Sequence, residues 1–169
     1  FNAMTPIAVR EPGPAGYTLD DNRLYCGLIA DGHHVHAANV RATYKLKGRD
    51  RVMLVTDAMP TVGSPQPWFN LQGMRIELKG GRLVYGEDTL AGAHVTMIEC
   101  VARFVQMTGA PLDDALIMAA RTPAAFLGLS DRLGALKPGM QADLVAFDER
   151  TMTVLETWVA GERSSPPIV

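Results

Sequence analysis

The sequence predicts an α/β fold in which parallel strands are connected by helices. Two short segments, LYCGLIA at 24–30 and RVMLVT at 51–56, are apolar almost throughout, as strands buried on both faces are. Between them, apolar residues recur at helical spacing from about 36 to 47, and Gly48 ends the repeat. A strand, a helix and a strand in this order predict a parallel βαβ unit.

The rest of the chain alternates between turns and short regular elements. Residues 1–22 are rich in Pro and Gly and lack periodicity, which predicts an ordered loop. The segments at 74–78 and 82–85, joined by KGG, predict a β-hairpin. Further elements are predicted as helices at 95–108, 111–120 and 122–126, and as strands at 143–147 and 154–159.

Length and composition limit both the size of the fold and the class of partner. A chain of 169 residues with 47% hydrophobic content is long enough to bury a core, but a closed eight-stranded α/β barrel needs roughly 250 residues. The net charge of −2 argues against nucleic acid and against a membrane surface as partners. Two isolated cysteines, Cys26 and Cys100, predict buried free thiols in a reducing compartment, and we expect a cytoplasmic protein.

The first residue, Phe1, is not a translation start, so we expect a piece of a longer chain. The alternative is that residues 1–3 are an expression remnant ahead of an authentic start at Met4.

The residue with the strongest chemical signal is Asp57, which follows the second buried strand directly. Barrels of the α/β type place their catalytic groups at the carboxyl ends of their strands, so this carboxylate is a candidate catalytic group. The alternative is a structural role, because an aspartate after a strand also caps helices and turns. Position alone leaves both interpretations open.

Three histidines cluster after the first strand, at His33, His34 and His36, and the fourth is His94. In an extended segment, His34 and His36 would offer two imidazoles on one face, as a metal site requires. No nearby Cys, Asp or Glu completes a familiar ligand spacing. Our interpretation is that at most one of the three clustered histidines is functional and that the others are surface or loop residues.

Two loops contain groups that could bind an anion. Arg10 could hold an anion with its guanidinium fork, or it could be a solvated loop charge. The segment TLAGA at 89–93 precedes a helix, so its backbone N–H groups could point at a ligand. It could equally be a plain connection.

The C-terminal segment LGALKPGMQADLVAFD at 133–148 resembles the end of amidohydrolase-superfamily chains, where the polypeptide leaves a barrel and joins a small β-sandwich. The helical segment AARTPA at 119–124 is similar to the superfamily segment just before it. Four further stretches resemble N-acetylglucosamine-6-phosphate deacetylases, in that family's order and at compatible separations. They are 1–4 with 10–13, 27–36, 54–58 and 89–92.

The resemblance implies a fold for each part of the chain. Residues 1–128 would be the C-terminal part of a TIM-type (β/α)8 barrel of a metal-dependent hydrolase, with a β-hairpin insertion near 73–87. Residues 129–169 would be strands of the small β-sandwich domain. In that family a metal-binding histidine directly precedes the stretch at 1–4, so we expect the chain to begin just past it. This disfavours the expression remnant.

The resemblance also implies roles for individual residues. Asp57 would be the catalytic carboxylate. Asn2 and the backbone of Ala3 would hold the sugar phosphate, with His34 beside them. Leu90 would lie near the N-acetyl methyl group. One departure from the family is Ala93, where a serine is common.

Partners and cofactor follow from the same resemblance. Arg10 would reach the phosphate bound by the neighbouring subunit, which makes a homodimer part of the site. The family's metal ligands, a glutamate and two histidines, lie upstream, so we expect no metal ligand in this chain. The implied cofactor is a divalent ion, zinc or iron.

The activity implied is deacetylation of N-acetylglucosamine 6-phosphate to glucosamine 6-phosphate and acetate in amino-sugar catabolism, with the isolated segment inactive. Two alternatives remain open from the sequence. The generic C-terminal segment also permits another amidohydrolase, such as a dihydroorotase-like enzyme or an aminohydrolase. A catalytically dead module that binds sugar phosphate is the third interpretation.

Overall fold

The structure is a computed structural model that describes residues 1–164. The helices are α1 Gly13–Asp20, α2 Ala37–Lys47, α3 Met97–Thr108, α4 Leu112–Ala119 and α5 Arg121–Phe126. The strands are β1 Cys26–Leu28, β2 Val52–Leu54, β3 Trp68–Leu71, β4 Met74–Lys79, β5 Arg82–Tyr85, β6 Thr89–Leu90, β7 Leu144–Asp148, β8 Thr153–Val159 and β9 Glu162–Arg163.

The predicted βαβ unit is confirmed. Strands β1 and β2 pair in parallel, with Cys26 opposite Val52 and Leu28 opposite Leu54, and α2 connects them. These four side chains are buried, and helices α3 and α4 cover them with Phe104 and Met118. Removing this apolar surface from water is the main favourable term for the fold. Each strand is only three residues long, which is shorter than the apolar run that predicted it.

Two more segments lie beside the parallel pair of β1 and β2. The amino group of Phe1 donates to the Gly27 carbonyl at 2.8 Å, so the first residues lie beside β1. Beyond β2, Ala58 forms a parallel bridge with Ala93, and the Met59 N–H donates to the Ala93 carbonyl at 3.1 Å. Within residues 1–164, the parallel pairing therefore consists of β1 with β2 and the bridge of Ala58 with Ala93, and it does not close into a barrel.

Capping residues set the starts of the two helices that flank this array. The ring of His36 accepts the Ala38 N–H at 3.2 Å and caps α2. Thr96 and Glu99 form a capping box at the start of α3, and Gly109 ends that helix in the left-handed conformation. Both arrangements satisfy backbone groups that a helix end leaves without partners. The predicted extents of these helices are confirmed to within two residues.

The predicted loop over residues 1–22 is wrong in part, because α1 occupies Gly13–Asp20. Proline is tolerated in the first turn of a helix, where its missing N–H would have no partner anyway, and Pro14 lies there. The helix buries Ala15 and Thr18, and the ammonium group of Lys47 donates to the Asp21 carbonyl at its end at 2.6 Å. Packing against α2 therefore outweighs the local Pro and Gly signal.

The predicted hairpin is confirmed as β4 and β5, and it belongs to a larger antiparallel sheet in the order β3-β4-β5-β6. Its turn lies close to the β1 end of the parallel array, because a Cβ added at Gly81 would be 3.5 Å from the His33 ring. A separate three-stranded sheet, β7-β8-β9, follows near the C-terminus. The division of the chain at 128 and 129 stays a prediction, and residues 165–169 of the second unit lie outside the described part.

Both cysteines are free and buried, as the sequence predicts, with Cys26 2% and Cys100 0% exposed. Burial raises the pKa of the Cys26 thiol, and it raises the pKa of the Cys100 thiol to about 11. Within residues 1–164, no helix combines the length and apolarity needed to span a membrane.

We expect neither thiol to react with iodoacetamide in the folded protein at pH 7, because the reactive thiolate is scarce and the sulfur is covered. Mass spectrometry of the native and urea-denatured protein checks this, and both cysteines should be alkylated only after denaturation. Native labelling as fast as that of free glutathione would contradict it.

Candidate active site

The candidate site lies at the edge of the parallel array where the strands end. The side chain of Asn2 is bonded to Ile29 just after β1, Asp31 and His34 follow β1, and Asp57 follows β2. In parallel α/β sheets, the carboxyl ends of the strands meet on one side and form the binding crevice. Residues far apart in the sequence are thereby placed along one edge.

Asn2 is held in place by the backbone at the end of β1. Its side-chain oxygen accepts the Ile29 N–H at 2.8 Å. This bond leaves the two amide N–H donors of Asn2 for a ligand oxygen. Ala3 is exposed in the turn closed by the bond from the Met4 N–H to the Phe1 carbonyl at 3.3 Å.

His34 is paired with a buried carboxylate that the sequence analysis did not single out. Its Nδ1 lies 2.7 Å from Oδ2 of Asp31, whose side chain is only 4% exposed. The other oxygen, Oδ1, accepts the backbone N–H groups of His33 and His34, each at 2.9 Å. The signal that could have identified Asp31 is its position, since it follows a buried strand as Asp57 does.

Hydrogen bonding keeps the Asp31 carboxylate ionised despite its burial. Burial raises its pKa, but the N–H groups of His34 and His33 and the His34 ring lower the pKa by more, so the net pKa is below the ordinary value. The Arg103 guanidinium of α3 donates to the Asp31 carbonyl. The turn that presents His34 is therefore attached both to β1 and to α3.

Asp57 is exposed and has an unusual backbone conformation. Its φ is 53°, in the left-handed region that is uncommon for residues other than glycine. The conformation is held by the Ala93 N–H, which donates to the Asp57 carbonyl at 2.9 Å. Strain of this kind costs on the order of 1–3 kcal/mol and is concentrated at functional sites.

The structural alternative for Asp57 was a cap on the following helix or turn. Among residues 1–164, no donor bonds its carboxylate, and the next turn is bonded by the Thr56 hydroxyl instead, which accepts the Ala58 N–H at 3.3 Å. The described structure therefore does not show a capping role for this side chain.

The segment at 89–93 is brought against the residues that follow β2. Leu90 ends the short strand β6, and Gly92 has a φ of 83°. A Cβ added at Gly92 would lie 2.5 Å from Cγ of Met59, so another residue here would displace that side chain as well as strain the backbone. Through Ala93, this segment is bonded to the backbone of Asp57.

The remaining candidates are not brought to this edge by any contact in the described structure. Arg10 lies in an exposed loop, where its guanidinium has no hydrogen-bonding partner among residues 1–164. His36 caps α2, and Nδ1 of His94 lies 2.9 Å from the Thr61 hydroxyl. His36 therefore has a structural explanation that does not involve a metal.

The described residues do not fit a metal ion by themselves. Over residues 1–164, no three or more His, Cys, Asp or Glu side chains are grouped closely enough to hold one. A zinc site uses at least three protein ligands of these types.

Comparison with known proteins identifies the family. The sequence profile of the amidohydrolase family matches residues 4–164. A protein of Escherichia coli (strain K12) that carries a provisional N-acetylgalactosamine-6-phosphate deacetylase name is 37% identical over 165 residues, covering 98% of both chains.

Two solved structures show that the fold is shared as well. The N-acetylglucosamine-6-phosphate deacetylase of Pasteurella multocida has a TM-score of 0.90 and 39% identity, covering 96% of this chain and 42% of that one. The N-acetyl-D-glucosamine-6-phosphate deacetylase of Mycobacterium smegmatis has a TM-score of 0.85 and 38% identity. That structure is of a mutant with one aspartate changed to alanine, in complex with N-acetyl-D-glucosamine-6-phosphate.

The M. smegmatis comparison covers 96% of this chain and 43% of the solved one, so the chain spans less than half of either solved enzyme. These matches confirm the predicted fold class, which is part of an amidohydrolase (β/α)8 barrel with additional β-strands. The chain therefore belongs to the amidohydrolase family, and within that family it is similar to the N-acetylhexosamine-6-phosphate deacetylases.

Proposed function

We propose that this chain is the part of an N-acetylglucosamine-6-phosphate deacetylase that carries the acid-base carboxylate and several sugar-phosphate contacts. One observation carries the proposal. The free carboxylate of Asp57 stands at the same strand edge as Asn2 and His34, in a chain that superposes on a solved deacetylase with a TM-score of 0.90.

Asp57 would transfer protons in the reaction. An amide is cleaved when water adds to its carbonyl carbon and the nitrogen then leaves as an amine. A carboxylate within hydrogen-bonding reach can take the proton from that water and deliver it to the leaving nitrogen. The products are acetate and the amino sugar phosphate. Asp57 suits this role because its carboxylate is exposed and its backbone carbonyl is bonded to the Ala93 N–H.

The remaining residues would bind and orient the substrate. Asn2 and the backbone N–H of Ala3 would donate to the phosphate, with His34 beside them. Leu90 would pack against the N-acetyl methyl group. The M. smegmatis complex supports a site for this substrate, because its ligand is N-acetyl-D-glucosamine-6-phosphate.

The proposal extends to cofactor, assembly and location. The family generally uses a divalent metal, and we propose zinc or iron held by ligands from outside this chain. Arg10 would reach the phosphate in the neighbouring subunit of a homodimer, which is consistent with its exposed and unpaired guanidinium among the described residues. We propose a cytoplasmic location, which the two buried free thiols support.

The test is acetate release by the complete polypeptide that contains this chain, measured with N-acetylglucosamine with and without the 6-phosphate. We expect kcat/KM to be at least about a hundredfold higher for the phosphorylated sugar, because charge-assisted hydrogen bonds to phosphate each contribute about 1.5–3 kcal/mol. Equal rates would contradict the proposal and favour a different amidohydrolase. Binding of the sugar phosphate without acetate release would favour the catalytically dead module.

A second candidate substrate is N-acetylgalactosamine 6-phosphate, which differs in configuration at one hydroxyl group. The E. coli relative that carries the galactosamine name favours it, because that relative matches this chain over 98% of both lengths. Including this epimer in the same assay decides between the two sugars. If kcat/KM is higher for the galactose epimer, the assigned substrate becomes N-acetylgalactosamine 6-phosphate.

A further inference from the structure

The Asp31 carboxylate makes its hydrogen bonds to the turn that follows it in the chain. All three of its hydrogen bonds go to the residues that follow in the same turn, two to the backbone N–H groups of His33 and His34 and one to the His34 ring. The side chain is 4% exposed, so water does not compete for these bonds. The carboxylate therefore fixes both the backbone and the ring of His34.

The chemistry of this pair determines which ring nitrogen carries a proton. An ionised carboxylate has no hydrogen to donate, so a contact of 2.7 Å between Oδ2 and Nδ1 requires the proton to be on Nδ1. The other nitrogen, Nε2, has no hydrogen-bonding partner among residues 1–164. Nε2 is thus the ring atom left for a ligand.

The surroundings of the pair hold the carboxylate in place. Besides His34, three charged or titratable residues lie near Asp31. Arg103 donates to the Asp31 carbonyl, the His33 N–H donates to the Asp31 carboxylate, and Cys100 lies on α3. The Cys100 thiol is buried with a raised pKa, so it is neutral at pH 7. Among these described groups, the His34 ring is the one that bonds Oδ2.

We propose that Asp31 is the positioning residue for His34, holding its proton on Nδ1 so that Nε2 can accept a hydrogen bond from a hydroxyl group of the bound sugar phosphate. The proposal rests on the proposed deacetylase function and assigns a role to a residue to which the family resemblance gave none. Asp31 itself touches no substrate. It acts by restricting the ring to one tautomer and one orientation, as carboxylates paired with functional histidines do.

The test variant is Asp31→Asn, which keeps the shape of the side chain and an oxygen for the two backbone N–H groups. It places an N–H donor where Oδ2 was, so the bonded ring nitrogen must become an acceptor. We expect the His34 proton to move from Nδ1 to Nε2, which nitrogen-15 NMR of the ring reports directly. We also expect KM for the sugar phosphate to rise about ten- to a hundredfold, with a smaller change in kcat.

The matched control is Asp114→Asn on α4, which also removes a hydrogen-bonded carboxylate that is bound by Tyr44 and Arg49. It should change neither the tautomer of His34 nor KM. A double-mutant cycle with His34→Gln separates positioning from general stability. If Asp31 acts through His34, adding Asp31→Asn to His34→Gln should raise KM by less than twofold.

Two results would overturn the proposal. One is a His34 ring protonated on Nε2 rather than Nδ1 in the neutral wild-type ring, a measurement that needs no variant to fold. The other is a full, additive effect of Asp31→Asn in the His34→Gln background. If the wild-type protein fails to release acetate, the proposed function fails, but the NMR measurement still decides whether Asp31 sets the tautomer.

Discussion

Replacing Asp57 with asparagine is expected to lower kcat for deacetylation by about a hundredfold to ten-thousandfold in the complete polypeptide, with KM changed little. General acid-base catalysis contributes about 10²–10⁴-fold to a rate, and the amide of asparagine cannot accept the proton. The substitution isolates this chemistry well, because asparagine also tolerates the left-handed φ of 53° at this position. Steady-state kinetics with the preferred sugar phosphate measure the effect.

The control for this experiment is Asp113→Asn, which removes another exposed aspartate, in the first turn of α4. It should leave kcat within about twofold, because its charge contributes only tenths of a kcal/mol to the helix. A kcat for Asp57→Asn close to the wild-type value would remove Asp57 from the mechanism. Asp57 would then be interpreted as a structural residue.

The second large effect is expected from Gly134→Ala, which should destabilise the protein by about 3 kcal/mol. The residue has a φ of 88°, and an added Cβ would lie 2.8 Å from the Cα of Arg121 and 3.0 Å from the Ala120 carbonyl oxygen. The first of these atoms belongs to the backbone of helix α5 and the second to the residue just before it, so neither can move without disturbing the packing of α5. Backbone strain of about 1–2 kcal/mol and a steric clash of similar size add together.

The matched control is Gly139→Ala, which lies in the same C-terminal segment with a φ of 86° and no atom within 4 Å of an added Cβ. It isolates the strain alone and should cost about 1–2 kcal/mol. Urea unfolding of both variants of the complete polypeptide, compared at equal m-values, measures the difference. Equal losses of stability would show that the contact with the start of α5 has no energetic effect.

The regular elements that the sequence predicted correctly are those with a local physical cause. Strands β1 and β2 were found because burial on both faces requires continuous apolar residues. Helix α3 was found because apolar residues recur at helical spacing and Gly109 ends the repeat. Helix α1 was missed because its Pro and Gly content argues against a helix, while the contact with Lys47 that supports it comes from a distant part of the chain.

For the site, the sequence alone determined which residue types are available and that Asp57 follows a buried strand. Only the tertiary structure decided that His34 is paired with Asp31, that His36 is a helix cap and that Asn2 is bonded to Ile29. The physical reason is that hydrogen bonds depend on distances of about 3 Å and on direction, which the folded backbone sets. Periodicity and spacing along the chain carry no such information.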